Sequence, residues 1–310
     1  MSGAVRQRLA EGRWHFQHGP IDCILGAEGE AGVAAQCIER AWARFATLLD
    51  ELVAELPALR TDLSSPTGAC VAPRGPVARR MVAACRAHAQ DGRFITAMAA
   101  VAGSVAEELI ESFADPRIER AWINNGGDIA LHLAPGASFD IGLCADPARG
   151  RAGGPLDGRF TVTAASPVRG IATSGWRGRS FSLGIADAAT VLATSASAAD
   201  AAATILGNAV DIDDARIVRR PASEVRDDSD LGHRLVTCGV PPLPLSLVDP
   251  ALGNGAAEAQ RQIDGGRIVA AVLCLQGRVR VCGDPGAATT PHPSPLPASG
   301  ARESYRMQAC

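Results

Sequence analysis

The sequence predicts an α+β fold, a layered domain in which a mixed or antiparallel sheet is flanked by helices. Three observations carry this. Apolar residues recur at three- and four-residue steps in the first third of the chain, switch to strict alternation in the middle, and return to a helical period before a closing pair of alternating runs. Helices gathered early and strands gathered in the middle point to packed layers rather than to regular β-α alternation.

His15 and His18 flank an early strand. Between Gly29 and Leu56, Ile38, Trp42, Phe45, Leu49 and Leu52 mark the apolar face of an amphipathic helix. A Pro/Gly/Ser segment from Ser65 to Pro76 reads as a loop. Val77, Met81, Val82 and Cys85 mark a second helix, and Thr96 to Phe113 a third, with Met98, Val101, Val105 and Leu109 on one face. Ile129, Leu131 and Leu133, then Phe139, Ile141 and Leu143, then Phe181, Leu183 and Ile185, alternate as half-buried strands do. A helix resumes after Ala196 and runs through Asn208. Ile268 to Leu275 and Arg278 to Val281 form a hairpin about Gln276-Gly277. This makes one domain over residues 1–283. A tail over 284–310, rich in Pro, Ser and Ala, has little to bury and is expected to be disordered. No internal repeat is evident.

Composition excludes several chemistries. The 30 basic residues are all arginine, and a chain without lysine has no Schiff-base lysine, no Walker-A lysine and no lysine general base. Genome composition explains the arginine bias as readily as function does. A net charge of −3 and a pI near 6.1 argue against electrostatic nucleic-acid binding. Met1 to Phe16 carry charges throughout, without the apolar core of a signal peptide, and no apolar run reaches the ~20 residues of a membrane helix. The 9 cysteines are scattered without CxxC pairs, as expected of reduced thiols in a cytoplasmic protein. No histidine pair has metal-ligand spacing, and there is no G-x-S-x-G elbow.

Three segments hold candidate chemistry. In Asn124-Asn125-Gly126-Gly127-Asp128-Ile129, two glycines permit positive φ and let a ligand approach the main chain; an ordinary type I′ hairpin turn has the same signature. In Gly170 to Ser180, the hydroxyls of Thr173 and Ser174, the flexibility of Gly175 and the guanidinium groups of Arg177 and Arg179 suit a phosphate or pyrophosphate. Trp176 is a candidate stacking surface for a flat heterocycle, and a solvated loop entering a strand is the plainer alternative. In Ser195 to Thr204, Asp200 and Thr204 share one helix face and offer hard oxygen ligands for Mg²⁺, with Asp187 as a second carboxylate for the same site. A small-residue packing helix with Asp200 near its positive end is the alternative.

Taken in order, these segments resemble the ApbE-like flavin transferase superfamily, and most closely its cytosolic UPF branch. The resemblance runs from about Trp14 to Cys282. Its anchors are Gly19 to Asp22, Met98 to Gly103, Asn124 to Ile129, Gly170 to Gly175, Gly178 to Leu183, Asp200 to Thr204 and Asp228 to Gly232. The resemblance implies an ApbE-like fold over residues 1–283, with FAD or FMN and Mg²⁺ as cofactors. It implies transfer of FMN to a threonine hydroxyl of a partner protein, or cleavage of the FAD pyrophosphate. Asp200 and Thr204 would hold the cation, Ser174 with Arg177 would hold phosphate, and the Asn124 to Gly127 turn would lie against the ligand.

The sequence departs from the transferases in two places within the fold. Ala102-Gly103 stands where they carry Lys-Gly, and Phe181 to Ala189 stands where they carry a histidine-containing segment ending in Asp-Pro-Arg-Thr-Gly. Two alternatives therefore accompany a Mg²⁺-dependent flavin enzyme: a step in pterin or tetrahydromethanopterin metabolism, and a non-catalytic flavin or nucleotide carrier. The expected partner is a small flavin-like or pterin-like molecule rather than nucleic acid or membrane, and homo-oligomerisation is left open.

Overall fold

The computed structural model describes residues 3–69, 71–143 and 158–285, and the backbone of 306–309. A nine-stranded sheet runs through it in the order β1 (Val5–Arg8), β2 (Trp14–His18), β3 (Ile21–Gly29), β4 (Ile118–Asn125), β5 (Asp128–Leu133), β8 (Gly170–Ser174), β9 (Ala188–Ala193), β12 (Ala270–Leu275) and β13 (Arg278–Gly283). Every neighbouring pair in it is antiparallel. A separate layer pairs β6 (Ser138–Leu143) with β7 (Gly158–Thr163), and β14 (Arg306–Ala309) runs parallel to β6. A small antiparallel pair, β10 (Val218–Pro221) and β11 (Leu235–Gly239), stands apart. The expected tail falls largely on residues 286–305 and 310, which lie outside the described ones.

The α+β expectation holds, and the period-two pattern explains how the sheet is covered on both faces. In β4, Ala121 and Ile123 point to the helices, whereas Trp122 between them packs with Phe139, Ile141, Phe160 and Val162 of the β6–β7 layer. The helical face carries α1 (Ala31–Ala54), α2 (Pro76–Gln90), α3 (Val101–Ile110), α4 (Ala196–Ala209) and α5 (Leu245–Asp264). Phe45 of α1 is fully buried, with ring centroids 5.4 Å from Phe16 and 5.9 Å from Trp42. Small residues let α4 lie close to the sheet: Ala199, Ala202 and Ala203 meet Ala172, Ala189, Val191 and Ala193.

One expected strand is absent. Residues 181–187 carry no strand, although Phe181, Leu183 and Ile185 alternate. Their backbone groups are taken elsewhere: Leu183 N–H donates to Asn208 Oδ1 at 2.8 Å, Ile185 N–H to the Val210 carbonyl at 2.8 Å, and the Ser182 carbonyl accepts from Thr237 N–H at 2.9 Å. The end of α4 thus satisfies a segment that period alone assigns to a sheet. The neighbouring sheet strands are β8 and β9.

Truncating Phe45 to alanine removes one ring of the Phe16–Trp42–Phe45 cluster. We expect Phe45→Ala to lower stability by about 3–5 kcal/mol, read from urea midpoints.

Candidate functional site

The site forms where α3, α4 and the β4–β5 turn converge. Ser195 caps α4, its hydroxyl accepting from Ala198 N–H at 3.3 Å, and Glu107 of α3 accepts from Ser197 N–H at 2.9 Å and Ser197 Oγ at 2.7 Å. This fixes the rotation of α4, so that Asp200 and Thr204, one turn apart, both face a cavity of about 750 Å³. Gly103 sets the distance between the helices. A Cβ there would lie 2.2 Å from the Ala196 carbonyl oxygen and 2.8 Å from Asp200 Cβ. With only hydrogen at that position, Gly103 N–H reaches Asp200 Oδ2 at 2.9 Å, and Ala102 N–H donates to the same carboxylate.

The turn delivers a second carboxyl. Gly126 (φ +67°) and Gly127 (φ +116°) close β4 onto β5 with Asn125 paired to Asp128, a two-residue hairpin turn. Asn124 Oδ1 accepts from Gly127 N–H at 2.8 Å, while Asn125 Nδ2 donates to the Ala102 carbonyl at 3.1 Å. Both asparagines therefore build the turn and tie it to α3. Asp128, 8% exposed, lies beside Asp200 and accepts from Thr173 N–H at 3.2 Å. Loss of water raises both carboxyls above the ordinary carboxylate range, Asp128 to about 7, and the charge of Asp128 further opposes ionisation of Asp200. Both carboxyls are thereby held toward their neutral forms.

The Gly170 to Ser180 segment is β8 followed by a loop. Thr173 Oγ1 lies 2.9 Å from Thr190 Oγ1, and Thr173, Ser174 and Gly175 line the cavity. Arg179 lies against the turn glycine: a Cβ on Gly126 would fall 2.2 Å from its Nη2. Trp176 does not line the cavity; its indole N–H donates to Asp187 Oδ1 at 3.2 Å, and Arg177 stacks on its ring at 5.0 Å.

Asp187 lines the same cavity, and its carboxylate is engaged by Trp176, Arg177 and Gln276. Its Oδ1 takes Trp176 and Arg177 Nε (3.3 Å), and its Oδ2 accepts from Gln276 N–H at 2.5 Å, so it braces the turn between β12 and β13. Among the described residues no group of three His, Cys, Asp or Glu side chains is placed to hold a metal ion. Asp128, Asp200 and the Thr204 hydroxyl nonetheless form a donor set of hard oxygens. That set fits Mg²⁺, which keeps waters and substrate oxygens in its remaining positions.

Residues at the cavity mouth had no assigned chemistry in the sequence. Arg60 pairs with Asp228 at 2.6 and 3.0 Å, Thr96 Oγ1 donates to Asp230 Oδ2 at 2.5 Å, and Arg226 stacks on Phe181 at 4.8 Å. Asp228 and Asp230 lie in the Asp228 to Gly232 segment of the sequence resemblance, and their partners come from segments far away in the chain. No histidine lines the cavity among the described residues.

Comparison with known proteins follows this geometry. A family model described as "AbpE bacteria" matches residues 6–281. The chain belongs to that family. Three relatives of this AbpE chain each bear the name "UPF0280 protein". The one from Methanothrix thermoacetophila is 32% identical over 53% of this chain and 64% of its own length. Those from Archaeoglobus fulgidus (38% identical) and Methanococcoides burtonii (41%) match over 36% and 37% of this chain and 43% and 46% of their own. The chain thus spans about half the length of the curated relatives it matches. Among solved structures, a flavin transferase ApbE from Vibrio cholerae aligns over 93% of this chain and 98% of that one, at 11% identity and a TM-score of 0.38. A flavinyl transferase ApbE from Pseudomonas stutzeri aligns over 93% and 94%, at 12% and 0.36. Scores at that level are too low to argue from. Among the described residues no helix is long and apolar enough to cross a membrane.

The raised carboxyl pair has a pH signature. An unfolded Asp titrates near 3.9, so between about pH 4 and 7 the folded protein holds a proton the unfolded chain has lost, and stability falls as pH rises. Asp128→Asn stays neutral and keeps an acceptor for Thr173 N–H. Its stability relative to the unsubstituted protein should rise from pH 5 to pH 8 by roughly 1 kcal/mol or more, read from urea midpoints. A difference independent of pH would count against a raised carboxyl at this position.

Proposed function

We propose that this chain is a divalent-cation-dependent enzyme that acts on the pyrophosphate of FAD or of a similar phosphorylated heterocycle. The observation that carries the reading is the Asp128–Asp200 pair with Thr204, all three lining one cavity beside two glycine-containing turns. Asp200, Asp128 and Thr204 would hold Mg²⁺, which when bound supplies a charge that offsets the one developing on the phosphates. Ala102 and Gly103 N–H groups keep the Asp200 carboxylate aimed, and Asn125 keeps that backbone in place through the Ala102 carbonyl. Thr173 and Ser174 line the same cavity next to the carboxyl pair, Thr173 N–H donating to Asp128. The bond broken is a P–O bond of the pyrophosphate. The mononucleotide phosphoryl group passes to water or to a hydroxyl of an acceptor, and AMP leaves.

A flavin or nucleotide carrier is the second reading, favoured by one observation: among the described residues the cavity is lined by carboxyl groups and arginines and by no histidine. A pterin-like ligand fits the same cavity description and is separated from a flavin by binding titrations with each.

The test is AMP release from FAD with Mg²⁺, followed by chromatography. We expect turnover that falls at least ~100-fold in Asp200→Ala and about tenfold in Thr204→Ala, as loss of cation ligands should do. Flavin that binds and leaves unchanged over hours would overturn the enzymatic reading in favour of the carrier.

A further inference from the structure

Four arginines line the cavity, Arg60, Arg177, Arg179 and Arg226, and three of them are already engaged. Arg60 is held in a forked ion pair by Asp228. Arg177 spends its guanidinium on Asp187 and the Trp176 ring. Arg226 covers Phe181 and donates from Nη2 to the Arg179 carbonyl at 3.4 Å. The Arg179 guanidinium differs. Among the described residues, no carboxylate within ion-pair distance and no hydrogen-bond acceptor engages it. It lies on the α-carbon of Gly126, whose missing side chain makes the room, and its field reaches both Asp128 and Cys23. An unpaired guanidinium beside a carboxyl pair, yet bonded to neither carboxyl, has its planar donor fork free for an incoming anion.

We propose that Arg179, seated on the Gly126 turn, is the anion-binding residue of this cavity and grips a phosphate oxygen pair of the ligand, whereas Arg177 is a structural brace. This rests on the reading that the cavity takes a phosphorylated ligand, and it goes further by dividing two arginines that sequence places in one loop. The positive charge of Arg179 enters from the β8–β9 loop, over the hairpin turn. A phosphate held there faces the carboxyl pair across the turn, so one ligand reaches both a guanidinium and the oxygens of Asp128 and Asp200. Gly126 then has two independent reasons to lack a side chain: its positive φ and the guanidinium resting on it.

The probe is inorganic pyrophosphate with Mg²⁺, titrated calorimetrically into the full chain. We expect Arg179→Ala to weaken binding at least about tenfold, as loss of a charged hydrogen-bond pair does, and Arg179→Lys to recover only part of it because the fork is lost. Arg177→Ala should change the affinity by less than about threefold. Gly126→Ala should match Arg179→Ala, since its methyl displaces the guanidinium. The arginine variants keep the test decisive if that turn variant fails to fold. Pyrophosphate binding within twofold of wild type in Arg179→Ala, an equal or larger loss in Arg177→Ala, or no binding to the unsubstituted protein overturns the assignment. The enzymatic reading fails separately: pyrophosphate bound through Arg179 without AMP release from FAD removes that reading and leaves the anion site standing.

Discussion

Two carboxyl groups in contact, largely out of water, are costly unless a proton, a cation or well-aimed donors accompany them. Asp128 and Asp200 are in that position, and much of the surrounding architecture holds them there. Ala102 and Gly103 donate to one, Thr173 to the other. Asn125 anchors the turn that carries Asp128 to the same backbone that holds Asp200. Glu107 and Ser195 set the start of α4. Replacing a buried polar pair with well-packed apolar side chains is often neutral or stabilising, so the presence of this pair within a large cavity gives the site its functional character.

The packing around the pair follows from side-chain size. Alanine and glycine dominate the contact between α4 and the sheet, and no side chain intervenes between Gly103 and Asp200. The larger aromatics gather elsewhere, under α1 and in the β6–β7 layer. Close backbone approach at α4 lets main-chain N–H groups reach a carboxylate directly, which longer side chains would prevent.

A chain without lysine must place every fixed cation as a planar fork. Arg44 and Arg80 use it to join α1, α2 and α3 through Glu51, Glu107 and Glu108. Arg120 spans Glu28 and the Ser138 carbonyl, linking sheet to outer layer. Guanidinium groups keep their charge when half-buried, so these links hold where an ammonium would tend to lose its proton. The same property suits the arginines around the cavity, most of which brace loops.

What the sequence determined by itself was the pattern of faces: the α1 stripe, the alternation of β5 and β6, the Asn-Gly-Gly-Asp turn, and Asp200 above Thr204 on one helix face. These are local consequences of a 3.6- or two-residue period and of glycine's freedom at positive φ. Tertiary structure decided which polar groups meet. The turn acid Asp128 joins Asp200, Asp187 lines the same cavity while bracing the β12–β13 turn, and residues 181–187 divide their backbone bonds between the end of α4 and residues of β11 and β12 instead of forming a strand. Period shows which face is apolar. It carries no information about the partner of a buried carboxyl, because that partner arrives from a distant segment through the twist of the sheet and the tilt of a helix.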